Sequence, residues 1–501
     1  MPQQTLPERP MVRTAEGVLA GLRQHGHAVF RGIRYARPPV GAFRFTAPAP
    51  PPHWEGTREA VAFGPSAPQS GPIPAPPGEG GDWLTLNVST PDPGAAGLPV
   101  LVWIHGGAYF SGTAADPMYD PTALTAAGLV VVSLNYRLGA EGFALLDGAP
   151  PNRGLLDQLA ALQWVHTNIA AFGGDPDQVT VAGQSAGAGS IAALLTMKQA
   201  RGLFRRAITH SVPGYHCTPE LAAQVTAELA ARLGTAPTAA AFADVEPQRL
   251  ADALTALSAD LPDHRGRWGR LAQAGLAVCP VVDGSVLPET PWSALAAGRA
   301  AGIELLAGHT RDEFRLFSVM SGRLGSFTEE DARTALALLA PGPDGPQAYR
   351  AALRDATAEQ VLETVSADAM FRIPSQQLAH ANAAAGGTSY LFELALPAAG
   401  MDGILGACHG LDIPLAFGTL DSPVGAQLLG DRPSSETVAV SRELHRAWIG
   451  FVTHGDPGWA AYRPDQRLTR VLDSTSTTVP YPEEASRRIW EGHTVEPFHL
   501  G

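Results

Sequence analysis

Ser185 stands at the centre of Gly183-Gln184-Ser185-Ala186-Gly187. The apolar run Val179-Thr180-Val181-Ala182 precedes it, and the small-residue stretch Ala188-Gly189-Ser190-Ile191-Ala192-Ala193-Leu194-Leu195 follows. A strand, a glycine-flanked serine and a helix start describe a tight turn that pushes the hydroxyl out above a sheet. Bulk two positions to either side would strike the neighbouring strand and helix, which accounts for the glycines. A hydroxyl so placed attacks a carbonyl carbon once a base takes its proton. Five such residues also occur as ordinary glycine-rich turns, so the surroundings must decide.

Upstream, Leu98-Pro99-Val100-Leu101-Val102-Trp103-Ile104 is a continuous apolar run, too short for a helix, that suits a strand buried on both faces. It ends in His105-Gly106-Gly107-Ala108-Tyr109-Phe110-Ser111-Gly112. Consecutive small residues there let backbone N–H groups face a reacting atom. A carbonyl oxygen becomes an anion under nucleophilic attack, and preset donors stabilise it without reorganising. The donors expected are the N–H groups of Gly107 and Ala108, with that of Ala186 as the third.

These groups need a rigid support. Leu129-Val130-Val131-Val132-Ser133-Leu134 reads as another short buried strand. Asp157 to Ala171 carries apolar residues at Leu159, Leu162, Val165 and Ile169, a helical spacing that Phe172 extends. Strands alternating with helices imply a mostly parallel sheet covered on both faces.

The whole series resembles the type-B carboxylesterases of the α/β-hydrolase superfamily, and among them the bacterial para-nitrobenzyl esterases. Phe30-Arg31-Gly32-Ile33-Arg34-Tyr35-Ala36, Pro38-Pro39-Val40-Gly41 and Arg44-Phe45 open it. Leu84-Thr85-Leu86-Asn87-Val88, the His-Gly-Gly-Ala loop and Asn135-Tyr136-Arg137-Leu138-Gly139 come next. Asn152-Arg153-Gly154-Leu155-Leu156-Asp157-Gln158 and Phe172-Gly173-Gly174-Asp175-Pro176 lead to the serine turn. The resemblance spans nearly the whole chain and is densest before residue 215. It implies an α/β-hydrolase fold, with helical insertions forming a substrate gorge over the central sheet. It also implies a serine esterase.

On that scaffold the chain order is serine, acid, histidine. Leu305-Leu306-Ala307-Gly308-His309-Thr310-Arg311-Asp312-Glu313 resembles the family's acid segment, in which the glutamate of the Asp-Glu pair serves, so Glu313 is expected over Asp312. Gly406-Ala407-Cys408-His409-Gly410-Leu411-Asp412 matches the family's histidine loop and makes His409 the expected base. His309, on the acid's own loop, is the nearest rival. The resulting triad is Ser185, Glu313 and His409, and its acyl-enzyme chemistry asks for no metal and no organic cofactor. Two departures stand beside the nucleophile: Gln184 where glutamate is common, and Ala188 where a second glycine is usual.

A chain of 501 residues with 45% hydrophobic content can bury a large core, and it is read as a single domain over 1–501. The proline- and glycine-rich stretches Ala47–Pro52 and Pro65–Gly81 are expected as surface loops around the gorge, and Pro341–Pro346 as a loop between helices. Alanine-rich stretches at Pro219–Leu257, Glu329–Ala340 and Tyr349–Val365 read as helical. The first is broken by Gly234, Pro237 and Pro247. Substrate choice is expected in these insertions and in the loop at 71–80.

A net charge of −13 argues against a nucleic-acid partner. Basic residues are nearly all arginine, Lys198 being the one lysine, which with abundant Ala, Gly and Pro suggests a high-GC bacterial source. Cys217, Cys279 and Cys408 are odd in number and scattered, without metal-type spacing. Trp83 stands where secreted animal relatives carry a disulfide cysteine. Modification of Cys408 is expected to disturb its neighbour His409. The N-terminal segment Met1–Pro10 has no apolar signal core, and no apolar run approaches a membrane span. A cytoplasmic enzyme acting on small to medium uncharged esters is therefore expected, with no membrane partner. The same triad could also act on carbamate, lactone or amide bonds. A non-catalytic adhesion relative is disfavoured by the intact set of three side chains.

Overall fold

The computed structural model describes residues 9–70 and 81–500. Its main sheet has eleven strands. In chain order they are β1 (Leu22–Gln24), β2 (His27–Arg34), β3 (Thr85–Thr90), β4 (Leu98–Ile104), β5 (Val130–Leu134) and β6 (Gly174–Gln184). The rest are β7 (Arg206–His210), β8 (Glu304–Thr310), β9 (Ser389–Leu394), β10 (Leu468–Leu472) and β11 (Thr477–Pro480). Their spatial order is β11-β10-β9-β8-β7-β6-β4-β5-β3-β2-β1. From β5 to β10 every neighbouring pair is parallel, and the antiparallel joins lie at the two margins. A separate small sheet joins Met11–Arg13, Val18–Ala20 and Thr57–Glu59.

The apolar run of β4 shows why the centre is buried on both sides. Val100, Val102 and Ile104 enter one core cluster while Leu101 and Trp103 enter another, the two-residue alternation of a strand. The first face is covered by α1 (Arg153–Asn168) and α2 (Ala186–Leu194). The second is covered by α3 (Ser435–His454) through Val440, Leu444, Trp448 and Phe451. Pro99 lacks an N–H to give to a ladder, and the β4–β6 register slips between Leu98 and Val100. The fold is an α/β-hydrolase fold.

The helical expectations hold with adjusted limits. The first alanine-rich stretch becomes Pro219–Leu233, Ala239–Ala243 and Pro247–Ala259. Gly234 ends the first piece at φ 69° and Pro247 opens the last. The second stretch is Glu329–Leu339. The third is two helices, Gly345–Ala352 and Ala358–Ala367, because Thr357 and Gln360 form a reciprocal cap that starts a new helix. The expected loop at 341–346 is thus shorter, its last two residues already helical. Residues 47–52 are a loop as expected, while the loop at 71–80 lies outside the described residues.

The cysteines are less scattered than their spacing suggests. Cys217 N–H donates to Pro280 O, and the Cys217 and Cys279 sulfurs lie 2.7 Å apart, both thiols buried. Sequence separation conceals this contact because two parallel segments carry it. No helix among the described residues is long and apolar enough to cross a membrane.

Candidate active site

Ser185 follows β6 directly and caps α2 with φ 55° and ψ −126°, a conformation L-residues rarely adopt. Holding it costs on the order of 1–3 kcal/mol, which the surrounding packing must offset. Ser185 N–H donates to His210 O at 2.9 Å, and Ser185 O accepts from Gly189 N–H at 2.9 Å. The glycines are required by contact. A Cβ on Gly187 would lie 2.0 Å from Ile104 O, and one on Gly183 would lie 2.7 Å from the carbonyl carbon of Gly187.

The loop after β4 faces this turn. Gly107, Ala108 and Tyr109 all have positive φ, at 113°, 52° and 63°. The chain thereby turns its N–H groups out of the sheet. Those of Gly107, Ala108 and Ala186 donate to no group among the described residues. The loop is braced from behind, where Tyr136 OH donates to His105 O at 2.9 Å and Gly139 N–H donates to Tyr109 O. Arg137, next to that tyrosine, pairs with Asp157 in a fully buried salt bridge of 2.7 Å. The Asn-Tyr-Arg and Leu-Leu-Asp motifs are therefore one brace.

Glu313 and His409 meet as expected. His409 Nδ1 lies 2.5 Å from Glu313 Oε2. Glu313 is fully buried, and its other oxygen accepts from Ser211 Oγ (2.6 Å) and Thr310 N–H (2.9 Å). Three hydrogen bonds compensate its removal from water. The rings of Phe317 and Phe371 flank His409, with centroids 5.4 and 4.3 Å away. Both phenylalanines come from the segments inserted between β8 and β9.

The far nitrogen of His409 brings a finding the sequence did not give. Nε2 lies 2.9 Å from Gln184 Nε2, and no hydrogen bond joins it to Ser185 Oγ. With Nδ1–H donating to the carboxylate, Nε2 presents its lone pair and the Gln184 amide donates to it. Gln184 is thus part of the site's hydrogen-bond chain.

The rivals have other duties. Asp312 accepts from Ala407 N–H at 2.8 Å, while its own N–H donates to Ala407 O, latching the histidine loop to the acid's loop. His309 is buried with Nδ1 on Thr310 O, and desolvation together with the nearby Arg372 pushes it down to about 3. Cys408 is buried and its thiol is pushed up to about 12 by burial and by Glu313, so it is a poor target for alkylation. Sequence reading missed Ser211 and the latch of Asp312. A signal for the latter was present in the Asp-Glu pair itself.

The carboxylesterase family model matches residues 8–482. The para-nitrobenzyl esterase of Bacillus subtilis (strain 168) is 37% identical over 95% of this chain and 98% of its own. The phenmedipham hydrolase of Pseudarthrobacter oxydans is 35% identical over 94% and 96%. The structure of the Geobacillus stearothermophilus carboxylesterase Est55 superposes with a TM-score of 0.85 at 34% identity, covering 96% of this chain and all of that one.

Proposed function

The chain belongs to the carboxylesterase family and is a carboxylic ester hydrolase, and on that premise we propose that it works through Ser185, Glu313 and His409 by way of an acyl-enzyme. His409 takes the Ser185 proton as Oγ attacks the ester carbonyl. Glu313 keeps the imidazole in the Nδ1–H tautomer and stabilises its positive form. The N–H groups of Gly107, Ala108 and Ala186 receive the oxyanion. His409 then protonates the departing alcohol, and a water activated by the same ring releases the acid.

The observation that carries this reading is the His409–Glu313 contact beside a serine held at positive φ. Substrates are small to medium uncharged esters, consistent with the two phenylalanine rings at the base. The enzyme acts as one domain on a small molecule, in the cytoplasm.

Ser185→Ala tests the reading most directly. It should leave a folded protein, lower kcat on para-nitrophenyl acetate by roughly 10⁶-fold, and abolish labelling by a serine-directed phosphonate. Turnover persisting near the parent rate would sink the assignment.

A further inference from the structure

We propose that Gln184 is a positioning residue for the proton transfer, occupying His409 Nε2 at rest and yielding it to Ser185 when substrate enters. The inference rests on the triad reading above and concerns a residue outside that triad. The residue is 8% exposed and its side chain reaches between two loops. A Cβ on Gly106 would lie 3.0 Å from Gln184 Oε1, and one on Gly410 would lie 3.8 Å from Gln184 Nε2. Both neighbours are glycine, and the carboxamide occupies the room between the proposed oxyanion loop and the histidine loop.

The chemistry follows from counting lone pairs. A neutral imidazole with Nδ1–H on Glu313 has one lone pair, at Nε2, and the Gln184 amide N–H occupies it. An imidazolium carries N–H at both nitrogens, so its Nε2–H would face another N–H. A donor at this position therefore favours the neutral ring, the form that can accept the serine proton. The same donor competes with Ser185 Oγ for the lone pair, so attack requires the amide to give way. Gln184 holds the lone pair at rest and slows the step in which the base acts.

The other groups around the ring are committed elsewhere. Glu313 holds Nδ1, and Phe317 and Phe371 present apolar rings. Asp312 faces Ala407 N–H, Asp412 faces His210, and Arg372 pairs with Asp368. Tyr215 stands near Glu313 and has its hydroxyl proton retained by burial, as has the thiol of Cys408. Among the described residues, Gln184 alone hydrogen-bonds to Nε2.

The test compares pH profiles of kcat/KM for para-nitrophenyl acetate in the parent, Gln184→Ala and Gln184→Glu. A hydrogen bond of ordinary net strength predicts that Gln184→Ala loses roughly 3- to 10-fold at acidic pH relative to its own plateau. Its plateau should rise above the parent's, so that the two profiles cross. Gln184→Glu, close to isosteric, moves the acid limb furthest toward high pH, because a carboxylate accepts from the imidazolium. Its profile keeps the question answerable if the alanine variant does not fold. Profiles that run parallel, scaled by one factor at every pH, would overturn the role of Gln184. Phosphonate labelling of Ser185 in all three proteins separates the two ideas. Labelling with parallel profiles removes Gln184 alone, whereas a parent that is not labelled removes the triad reading beneath it.

Discussion

Among the described residues two histidines hydrogen-bond to a carboxylate, and they differ at the far nitrogen. His409 Nδ1 meets Glu313 at 2.5 Å, and His210 Nδ1 meets Asp412 at 2.7 Å. Both carboxylates are fully buried. Beyond the first ring, Nε2 faces the amide of Gln184 beside Ser185. Beyond the second, it accepts from the indole N–H of Trp448 at 3.0 Å, on a side chain packed into the sheet's second core. His210 also stacks edge-on with Phe392 and Trp448. Pairing with a carboxylate thus orients a histidine in either place. What sets the proposed base apart is a far nitrogen directed to the residue beside Ser185 rather than sealed in the core.

Exchanging the two histidines in turn should break the comparison most widely. His409→Ala is expected to cost roughly 10⁶-fold in kcat with the smaller loss in thermal unfolding, since Glu313 keeps its bonds from Ser211 and Thr310. His210→Ala should do the reverse, retaining most of kcat but destabilising the fold, since Asp412 and Trp448 lose a buried partner at about 1–3 kcal/mol each. Kinetics and melting curves on the same preparations check both. A His210→Ala enzyme as inactive as His409→Ala would erase the distinction.

The carboxylates repeat the contrast on a smaller scale. Glu313→Gln favours the wrong tautomer and should lower kcat by roughly 10⁴-fold. Asp412→Asn should change kcat far less and register in the melting temperature instead.

A third group of histidines sharpens the point through acid stability. Burial lowers His105 to about 4 and His216 to about 3, and His309 is held near 3 by burial and Arg372. Each is below its unfolded value of about 6.5, so the unfolded chain binds these protons first as pH falls. Their contribution to stability is intact above about pH 6.5 and declines toward pH 4, by at most about 1.4 kcal/mol per histidine per pH unit. Melting temperature should drop steeply over that window, with the same slope in Ser185→Ala. A flat profile would remove the acid sensitivity assigned to these rings, and a slope that vanishes in the serine variant would place it in the site instead.

Much of this was legible because the residues concerned are constrained locally. The serine turn needs Gly183 and Gly187 at fixed offsets, and Val100 to Ile104 fill both faces of one strand. Such patterns are written within a few positions. The Gln184–His409 contact joins residues 225 positions apart, and the Cys217–Cys279 contact joins residues 62 apart. Nothing local marks either one. His210 and His309 likewise look alike in sequence, each a polar residue at or near the end of an apolar strand, and only packing separates their surroundings from that of His409.

The latch made by Asp312 bears on how such an enzyme can change over time. It fastens Ala407 to the turn that carries Glu313, so the entrance and exit of the intervening segment are pinned 95 positions apart. That tie, together with the pairing of β8 and β9, keeps the proposed acid and base in register. Insertions, deletions or grafted helices between these fixed ends would remodel the wall that supplies Phe317 and Phe371, the rings packed on His409, while the tie between the two loops is kept. A lineage, or an engineer, is thereby given a place to rewrite selectivity while the chemistry is kept.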